Sequence, residues 1–148
     1  MSSYRQIIYH IVFATKYREP ILVEAHLPKL YNYIFGVIKQ KNCLLYRIGG
    51  RPDHIHILTD LHPSIALADF VKDIKLSSSL FMKESGLFPL FSYWQEGYGA
   101  FTHSLKEKAR LIHYIKNQRE HHLGIDLVDE YKTLLHEHGV PFDERYLF

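Results

Sequence analysis

The sequence predicts an α+β fold in which about four strands form one antiparallel sheet, with helices packed on one face of that sheet. Short segments rich in β-branched and aromatic residues alternate with longer segments whose apolar residues recur at helical spacing. A Gly-Gly-Arg-Pro-Asp stretch separates two of the short segments, which is typical of a hairpin. The 148 residues predict one domain, 1–148, that can bury a core of its own.

The first half of the chain predicts a strand, a helix and a hairpin. The expected strand covers residues 6–14, the helix 24–40, and the paired strands 43–48 and 54–61, joined by a turn at 49–53. Because that turn is short, the two strands it joins are expected to be antiparallel neighbours.

The second half predicts a helix, a strand and two further helices. Ser64 is a candidate cap for a helix that runs to about Met82, and a fourth strand with a bend is expected at 91–101. Ser104 is expected to cap a helix that runs to about His122, followed by a last helix at 126–138 within a C-terminal tail, 126–148. This order fits a ferredoxin-like split βαβ arrangement, with a tyrosine-bearing helix after the last strand.

Composition excludes several classes of protein. No apolar run reaches about 18 residues, which argues against a membrane span. The N-terminus lacks the features of a secretory signal, and the single Cys43 cannot form an internal disulfide. We therefore expect a cytoplasmic protein. The net charge of +2 permits binding to nucleic acid through a local patch but does not predict it.

Two His-x-His triplets are candidate metal ligands. With 11 histidines in the chain, about one such triplet is expected by chance, so context has to distinguish them. On a strand, residues i and i+2 share a face, so His54 and His56 can bind one ion. On a helix the same spacing separates two side chains by about 200°, so His136 and His138 cannot readily do so. The alternative for His54 and His56 is two ordinary polar positions on an exposed strand face.

The helix after Ser104 supplies a candidate nucleophile. A helical projection centred on Ile112 predicts that four residues share the face turned away from the core: Tyr114, Gln118, His121 and Arg110. A tyrosine nucleophile that attacks a phosphate would need such a phenol, with an amide one turn later and an arginine nearby. The alternative is a solvated polar face without chemistry.

These motifs together resemble the HUH single-tyrosine transposases, in which U is a hydrophobic residue. The resemblance extends over most of the chain, from HIVFATKYREP through PDHIHIL and GYGAFTHS to YIKNQREHH. The family includes transposases of small insertion sequences and enzymes associated with repetitive extragenic palindromes. The resemblance implies that His54, His56 and Gln118 bind a divalent metal and that Tyr114 is the nucleophile.

The same resemblance implies a reaction and a set of partners. Two imidazoles and an amide oxygen suit Mg²⁺ or Mn²⁺. The expected substrate is single-stranded DNA that carries small hairpins, cleaved to give a 5′-phosphotyrosine and a free 3′-OH. A homodimer is expected, although palindrome-associated relatives can be monomers. Candidate DNA contacts are Lys16, Arg18, Arg51, Lys72, Lys75 and Arg110.

Three other interpretations remain open on the sequence alone. A ferredoxin-like sheet with exposed aromatic residues could bind single-stranded nucleic acid without any chemistry. A metal-dependent hydrolase would use a water nucleophile and form no covalent adduct, with His, Asp or Glu more common than Gln as its third ligand. A plasmid relaxase or replication initiator shares the HUH motif, but such proteins are usually longer, and their tyrosine lies at a different place in the sequence.

Overall fold

The structure is a computed structural model that describes residues 2–118 and 126–147. Its four strands are β1 (Ile8–Ala14), β2 (Leu45–Arg51), β3 (His54–Thr59) and β4 (Gly99–His103). Its longer helices are α1 (Leu27–Gln40), α2 (Leu67–Ser85), α3 (Lys108–Lys116) and α4 (Leu127–Glu137). Among the described residues, no helix combines the length and apolar character needed to cross a bilayer.

The strands form one sheet in the order β2-β3-β1-β4, and every neighbouring pair is antiparallel. This arrangement confirms the predicted α+β fold with a four-stranded antiparallel sheet. The central position of β1 and β3 has a consequence for function, because both strands are buried and hydrogen-bonded on two sides. Side chains on these two strands are therefore held by a rigid backbone.

The two faces of the sheet have different partners. One face presents alternate apolar residues of β1 and β3, including Ile11 and Ile57, to α1 and α2, as the sequence predicts. The opposite face presents Ile8 and Leu58 to α3, while α4 packs on Val12. The tyrosine-bearing helix thus adds a layer on the second face, beyond the predicted helices on one face. His54 and His56 belong to this second face.

Several boundaries differ from the prediction. The hairpin strand β2 continues through both glycines to Arg51, because these residues pair in register with β3, and the connection shortens to residues 52–53. Ser64 is not a helix cap: its hydroxyl bonds to the His62 ring at 2.7 Å, and α2 begins only at Leu67. Most of the predicted fourth strand is irregular, and Trp94 forms an isolated bridge to Thr15, the residue after β1.

Two helix starts agree with the sequence. Ser104 and Glu107 form a reciprocal capping box before α3. The Asp126 side chain accepts a hydrogen bond from the backbone N–H of Asp129 at the start of α4. The predicted end of the tyrosine-bearing helix near His122 lies outside the described residues.

Candidate active site and metal centre

His54 and His56 lie side by side on β3 and are fully buried. The alternation of a strand places both imidazoles on the face covered by α3 and α4, with ring centroids 5.0 Å apart. Ile55 and Ile57 point into the opposite core. The sequence alternative of two exposed polar positions is therefore wrong, because helices cover this face of the sheet.

Each histidine is held through its Nδ1 atom. The His54 Nδ1 atom lies 2.7 Å from Asp53 Oδ1, and His56 Nδ1 lies 2.8 Å from His10 Nε2 on β1. Their Nε2 atoms face two other side chains, since His54 Nε2 is 3.2 Å from Gln118 Oε1 and His56 Nε2 is 3.2 Å from Glu130 Oε1. In metal-binding histidines one ring nitrogen is likewise anchored, usually by a carboxylate, a carbonyl or a water, while the other faces the ion.

The tyrosine-bearing helix packs with a different phase from the one predicted. Leu111, Ile115 and Gln118 are buried and Tyr114 is half-buried, so the face with the candidate site residues turns toward the sheet. The projection was wrong for Tyr114 and Gln118 because it was centred on Ile112, whereas the buried stripe runs through Leu111 and Ile115 to Gln118. Arg110 is exposed, as predicted, and His121 lies outside the described residues.

A glycine on β2 allows α3 to approach the histidines closely. A Cβ built on Gly49 would lie 2.5 Å from the backbone oxygen of Ile115, which no real side chain tolerates. Gly49 is paired in register with His56 across the hairpin. The absence of a side chain at this position therefore lets the tyrosine-bearing helix rest on the sheet beside the candidate metal ligands.

Glu130 of α4 is a site residue that the sequence analysis missed. It is 4% exposed, and its carboxylate accepts hydrogen bonds from the Tyr114 hydroxyl and from Gln118 Nε2. A signal for it exists in the sequence, because Glu130 lies between Leu127 and Leu134 on the apolar stripe of an amphipathic helix. A carboxylate at such a position becomes buried when the helix packs, and a buried carboxylate needs a hydrogen-bond or charged partner.

The burial of Glu130 has an effect on stability that can be measured. Burial raises the pKa of this carboxyl group to about 7, while the charge of His54 lowers the pKa and that of Asp53 raises it. Between about pH 4.5 and 7 the folded protein therefore keeps a proton that the unfolded chain has lost. The stability contributed by this group is fully present below about pH 4.5 and is lost as the pH rises through 7.

We therefore expect Glu130→Gln to raise the free energy of unfolding of the metal-free protein at pH 8, by on the order of 2–3 kcal/mol. At pH 4 the variant and the parent should have the same free energy of unfolding. Urea unfolding in EDTA at both pH values measures the difference. Glu137→Gln, an exposed carboxylate on the same helix, is the control. Equal shifts at pH 4 and pH 8 for Glu130→Gln would contradict the account.

The cluster has a donor set that fits a divalent metal. The ligand atoms of His54, His56 and Glu130 lie within 4.8 Å of one another, and the described residues include no other group of three or more His, Cys, Asp or Glu side chains that meets this criterion. Two ligands of one Mg²⁺ ion are up to about 4.2 Å apart, so small side-chain movements suffice. Gln118 adds an amide oxygen to the set. Nitrogen and oxygen donors without a thiolate suit Mg²⁺ or Mn²⁺.

The predicted DNA contacts fall into separate regions. Arg110 is exposed and lines a cleft of about 190 Å³ together with Tyr114 and Glu130. Lys72 and Lys75 line a larger groove, of about 570 Å³, beside α2 on the other face of the sheet. The Lys75 ammonium donates to the carbonyls of Gln95 and Gly97, and burial lowers its pKa.

The other three basic residues lie outside both of these depressions. Lys16 and Arg18 belong to an exposed turn after β1, whose backbone bonds to Tyr93 at the edge of the larger groove. Arg51 forms an ion pair with Glu24 at 2.6 Å. The structure thus brings one predicted contact, Arg110, to the candidate active site.

Comparison with known proteins relates this geometry to a family. The family described as "Transposase IS200 like" matches residues 3–118, more than three quarters of the chain. The chain belongs to the IS200-like transposases. The matched region contains both β3 histidines, Tyr114 and Gln118, and it ends before α4. Glu130 therefore lies outside the part of the chain that the family match covers.

Individual members of the family show the same relationship over most of their length. The ISDra2 transposase TnpA of Deinococcus radiodurans is 28% identical over 120 residues, which cover 78% of this chain and 86% of the relative. The transposase for insertion sequence element IS200 of Salmonella typhimurium is 31% identical over 117 residues, or 76% of each chain.

Solved structures share the fold of this chain. A candidate transposase from Deinococcus radiodurans matches with a TM-score of 0.62 and 28% identity, over 80% of this chain and 95% of the other. A REP-associated tyrosine transposase bound to a REP hairpin matches with a TM-score of 0.57 and 19% identity, over 82% and 74%. Both matches show that the fold is shared. The family match over residues 3–118 and the IS200 relative at 31% identity place the chain with the transposases, and not with the relaxases or initiators.

Proposed function

We propose that this IS200-like transposase cleaves and rejoins single-stranded DNA through a covalent 5′-phosphotyrosine at Tyr114. One observation carries the proposal: the Tyr114 ring lies 5.7 Å from the ring of His56, which together with His54 forms the buried histidine pair of the same chain. A nucleophile beside a candidate metal site is the arrangement that phosphoryl transfer requires.

The reaction follows from the groups around Tyr114. Its oxygen attacks the scissile phosphorus while the bond from phosphorus to the 3′-oxygen breaks. The phenol proton passes to Glu130, which already accepts the hydrogen bond of this hydroxyl, and the departing oxygen takes up a proton to become a 3′-OH. The new phosphodiester retains the energy of the broken bond, so attack by another 3′-OH rejoins DNA without ATP.

His54, His56 and Gln118 would hold a Mg²⁺ or Mn²⁺ ion, and the Glu130 carboxylate is close enough to complete the set. A bound ion would polarise the scissile phosphate and offset the negative charge that develops during transfer. Asp53 and His10 keep the two imidazole rings in place through their Nδ1 atoms. Arg110 is the proposed contact to a DNA phosphate: it is exposed in the cleft that also contains Tyr114, where it forms an ion pair with Glu107.

The proposed substrate is single-stranded DNA with a small hairpin, held partly in the α2 groove. This groove, beside α2, combines the ammonium groups of Lys72 and Lys83 with the exposed rings of Tyr93 and Tyr98. Basic groups contact phosphates, and aromatic rings stack on unpaired bases. A transposase with the same fold is bound to a REP hairpin, which is consistent with such a substrate.

We expect Lys72→Ala to weaken DNA binding because one phosphate contact is lost. For the same reason, the slope of log affinity against log salt concentration should become less steep by about one. Fluorescence anisotropy with a labelled hairpin oligonucleotide at several salt concentrations measures both quantities. Lys29→Ala, which removes an exposed lysine from α1, is the control for net charge. Identical salt slopes for the two variants would show that DNA does not bind in the α2 groove.

A homodimer remains part of the proposal, on the strength of the resemblance alone. Tyr114 lies beside the histidines of its own chain, which supports a site formed within one chain. Light scattering of the purified protein, with and without DNA, measures the assembly directly.

A covalent adduct separates the proposal from its two remaining alternatives. Incubation with Mn²⁺ and a labelled single-stranded library of candidate hairpin ends, followed by a denaturing gel, detects the adduct. A binding module would retain DNA under native conditions and form no adduct. A metal-dependent hydrolase would cut the DNA and leave no protein attached, since water is its nucleophile.

A further inference from the structure

A buried histidine outside the predicted site contacts one of the candidate metal ligands. His10 lies on β1 and has no solvent exposure. Its Nε2 atom is 2.8 Å from His56 Nδ1, and the two rings are inclined by 26° with centroids 5.0 Å apart. The edge of the same ring also contacts Tyr114, at 6.3 Å between centroids. His10 therefore packs against both one candidate ligand and the candidate nucleophile.

The two candidate ligands differ in what holds them. His54 Nδ1 is anchored by the Asp53 carboxylate, the usual partner of a metal-binding histidine. His56 Nδ1 is anchored by a second imidazole, which is an uncommon choice. A histidine can bind a metal through Nε2 only when its proton is on Nδ1, and that proton then needs an acceptor. The Nε2 lone pair of His10 is placed to be this acceptor.

We propose that His10 is a positioning residue for the metal site: it accepts the Nδ1 proton of His56 and so keeps His56 Nε2 oriented and available for the ion. The inference rests on the proposed function, because it presumes that His56 binds the metal. Metal binding would fix the direction of the hydrogen bond between the two rings, with His56 donating and His10 accepting.

The surroundings of His10 argue against a purely structural role. Its other ring nitrogen, Nδ1, is buried and has no hydrogen-bond partner among residues 2–118 and 126–147. A buried polar atom without a partner destabilises the fold, so an apolar side chain of similar size would suit this position better for packing. Its neighbours on the same face of β1 are the apolar Ile8 and Val12. The histidine therefore costs stability unless it acts on His56.

The test compares an apolar and a polar replacement. His10→Leu removes the acceptor, whereas His10→Gln places an amide oxygen where Nε2 was and can still accept the Nδ1 proton of His56. Ile8→Val, a small loss of packing on the same face of β1, is the control, and His56→Ala is the reference for a lost ligand. Mn²⁺ affinity is measured by electron paramagnetic resonance without DNA, and stability by urea unfolding in EDTA.

The proposal expects His10→Leu to weaken Mn²⁺ binding by about 10- to 100-fold without lowering the urea midpoint. His10→Gln should stay within about fivefold of the parent in Mn²⁺ affinity, and Ile8→Val should match the parent. In the metal-loaded parent, long-range ¹H–¹⁵N spectra of the imidazole rings, recorded with Mg²⁺, should place the His56 proton on Nδ1. These readouts need no DNA cleavage.

Three results would overturn the inference. If His10→Leu binds Mn²⁺ as the parent does while His56→Ala does not, His10 has no positioning role although the metal site is real. If Leu and Gln weaken binding equally and both lower the urea midpoint, the role of His10 is structural. If His56→Ala leaves Mn²⁺ affinity unchanged, His56 does not bind the metal. The proposed metal site and the role of His10 would then both be incorrect.

Discussion

Replacing Tyr114 by Phe should abolish the covalent protein–DNA adduct, with a loss of at least about a thousandfold in the rate of strand transfer. The variant keeps the ring that packs near His56 and loses only the hydroxyl that would attack the phosphate. DNA affinity should stay within about threefold of the parent, because the phenol oxygen contributes to the reaction and not to the basic surface. A denaturing gel and an anisotropy titration measure the two quantities.

Tyr46→Phe is the matched control for this experiment. Tyr46 is half-buried on β2 and packs, like Tyr114, against the apolar cluster beneath α3. It should retain the parent rate of adduct formation. A Tyr114→Phe protein that still forms the adduct would show that another residue is the nucleophile. Cleavage without an adduct, in both the parent and the variant, would favour the hydrolase alternative.

The second large effect is expected for His56→Ala, which should weaken Mn²⁺ binding and adduct formation by at least about a hundredfold. His56 is fully buried, and its Nε2 atom faces Glu130 in the candidate donor set. Removal of one imidazole from a site with about three protein ligands eliminates a large part of the binding free energy. Calorimetric titration with Mn²⁺ and the adduct assay measure the two losses.

His136→Ala is the control, because it removes a histidine from the second His-x-His triplet. His136 is exposed on α4 and packs against Phe142, at 5.3 Å between centroids. Helical geometry excludes a shared ion with His138, so Mn²⁺ affinity should not change. Equal losses for His56→Ala and His136→Ala would mean that histidine content, and not this site, determines metal binding.

The predictable part of the fold depended on strong local patterns. The alternation in β3 placed His54 and His56 on one face, and the Ser104 cap located the start of the tyrosine-bearing helix. The boundaries of β2 and β4 were less predictable, because glycines that usually end a strand are here paired within it. The pairing is a tertiary property that a short sequence window does not contain.

The orientation of α3 and the role of α4 could not be obtained from the sequence for a related reason. Amphipathicity distinguishes apolar from polar faces, but a polar face can be solvated or can cover a buried polar site. Gln118 belongs to the second kind, at 1% exposure. Glu130 reaches the site from a helix whose docking on the sheet depends on long-range packing of Leu134 and Leu135.

The most direct test of the central claim is to identify the residue that carries the DNA. Trypsin cleavage after Arg110 and Lys116 releases Leu111–Lys116, a peptide that contains a single tyrosine, Tyr114. Mass spectrometry of the nuclease-trimmed adduct should find nucleotide attached to this peptide through a 5′-phosphate. Attachment to a different peptide, or a 3′-phosphate linkage, would contradict the account.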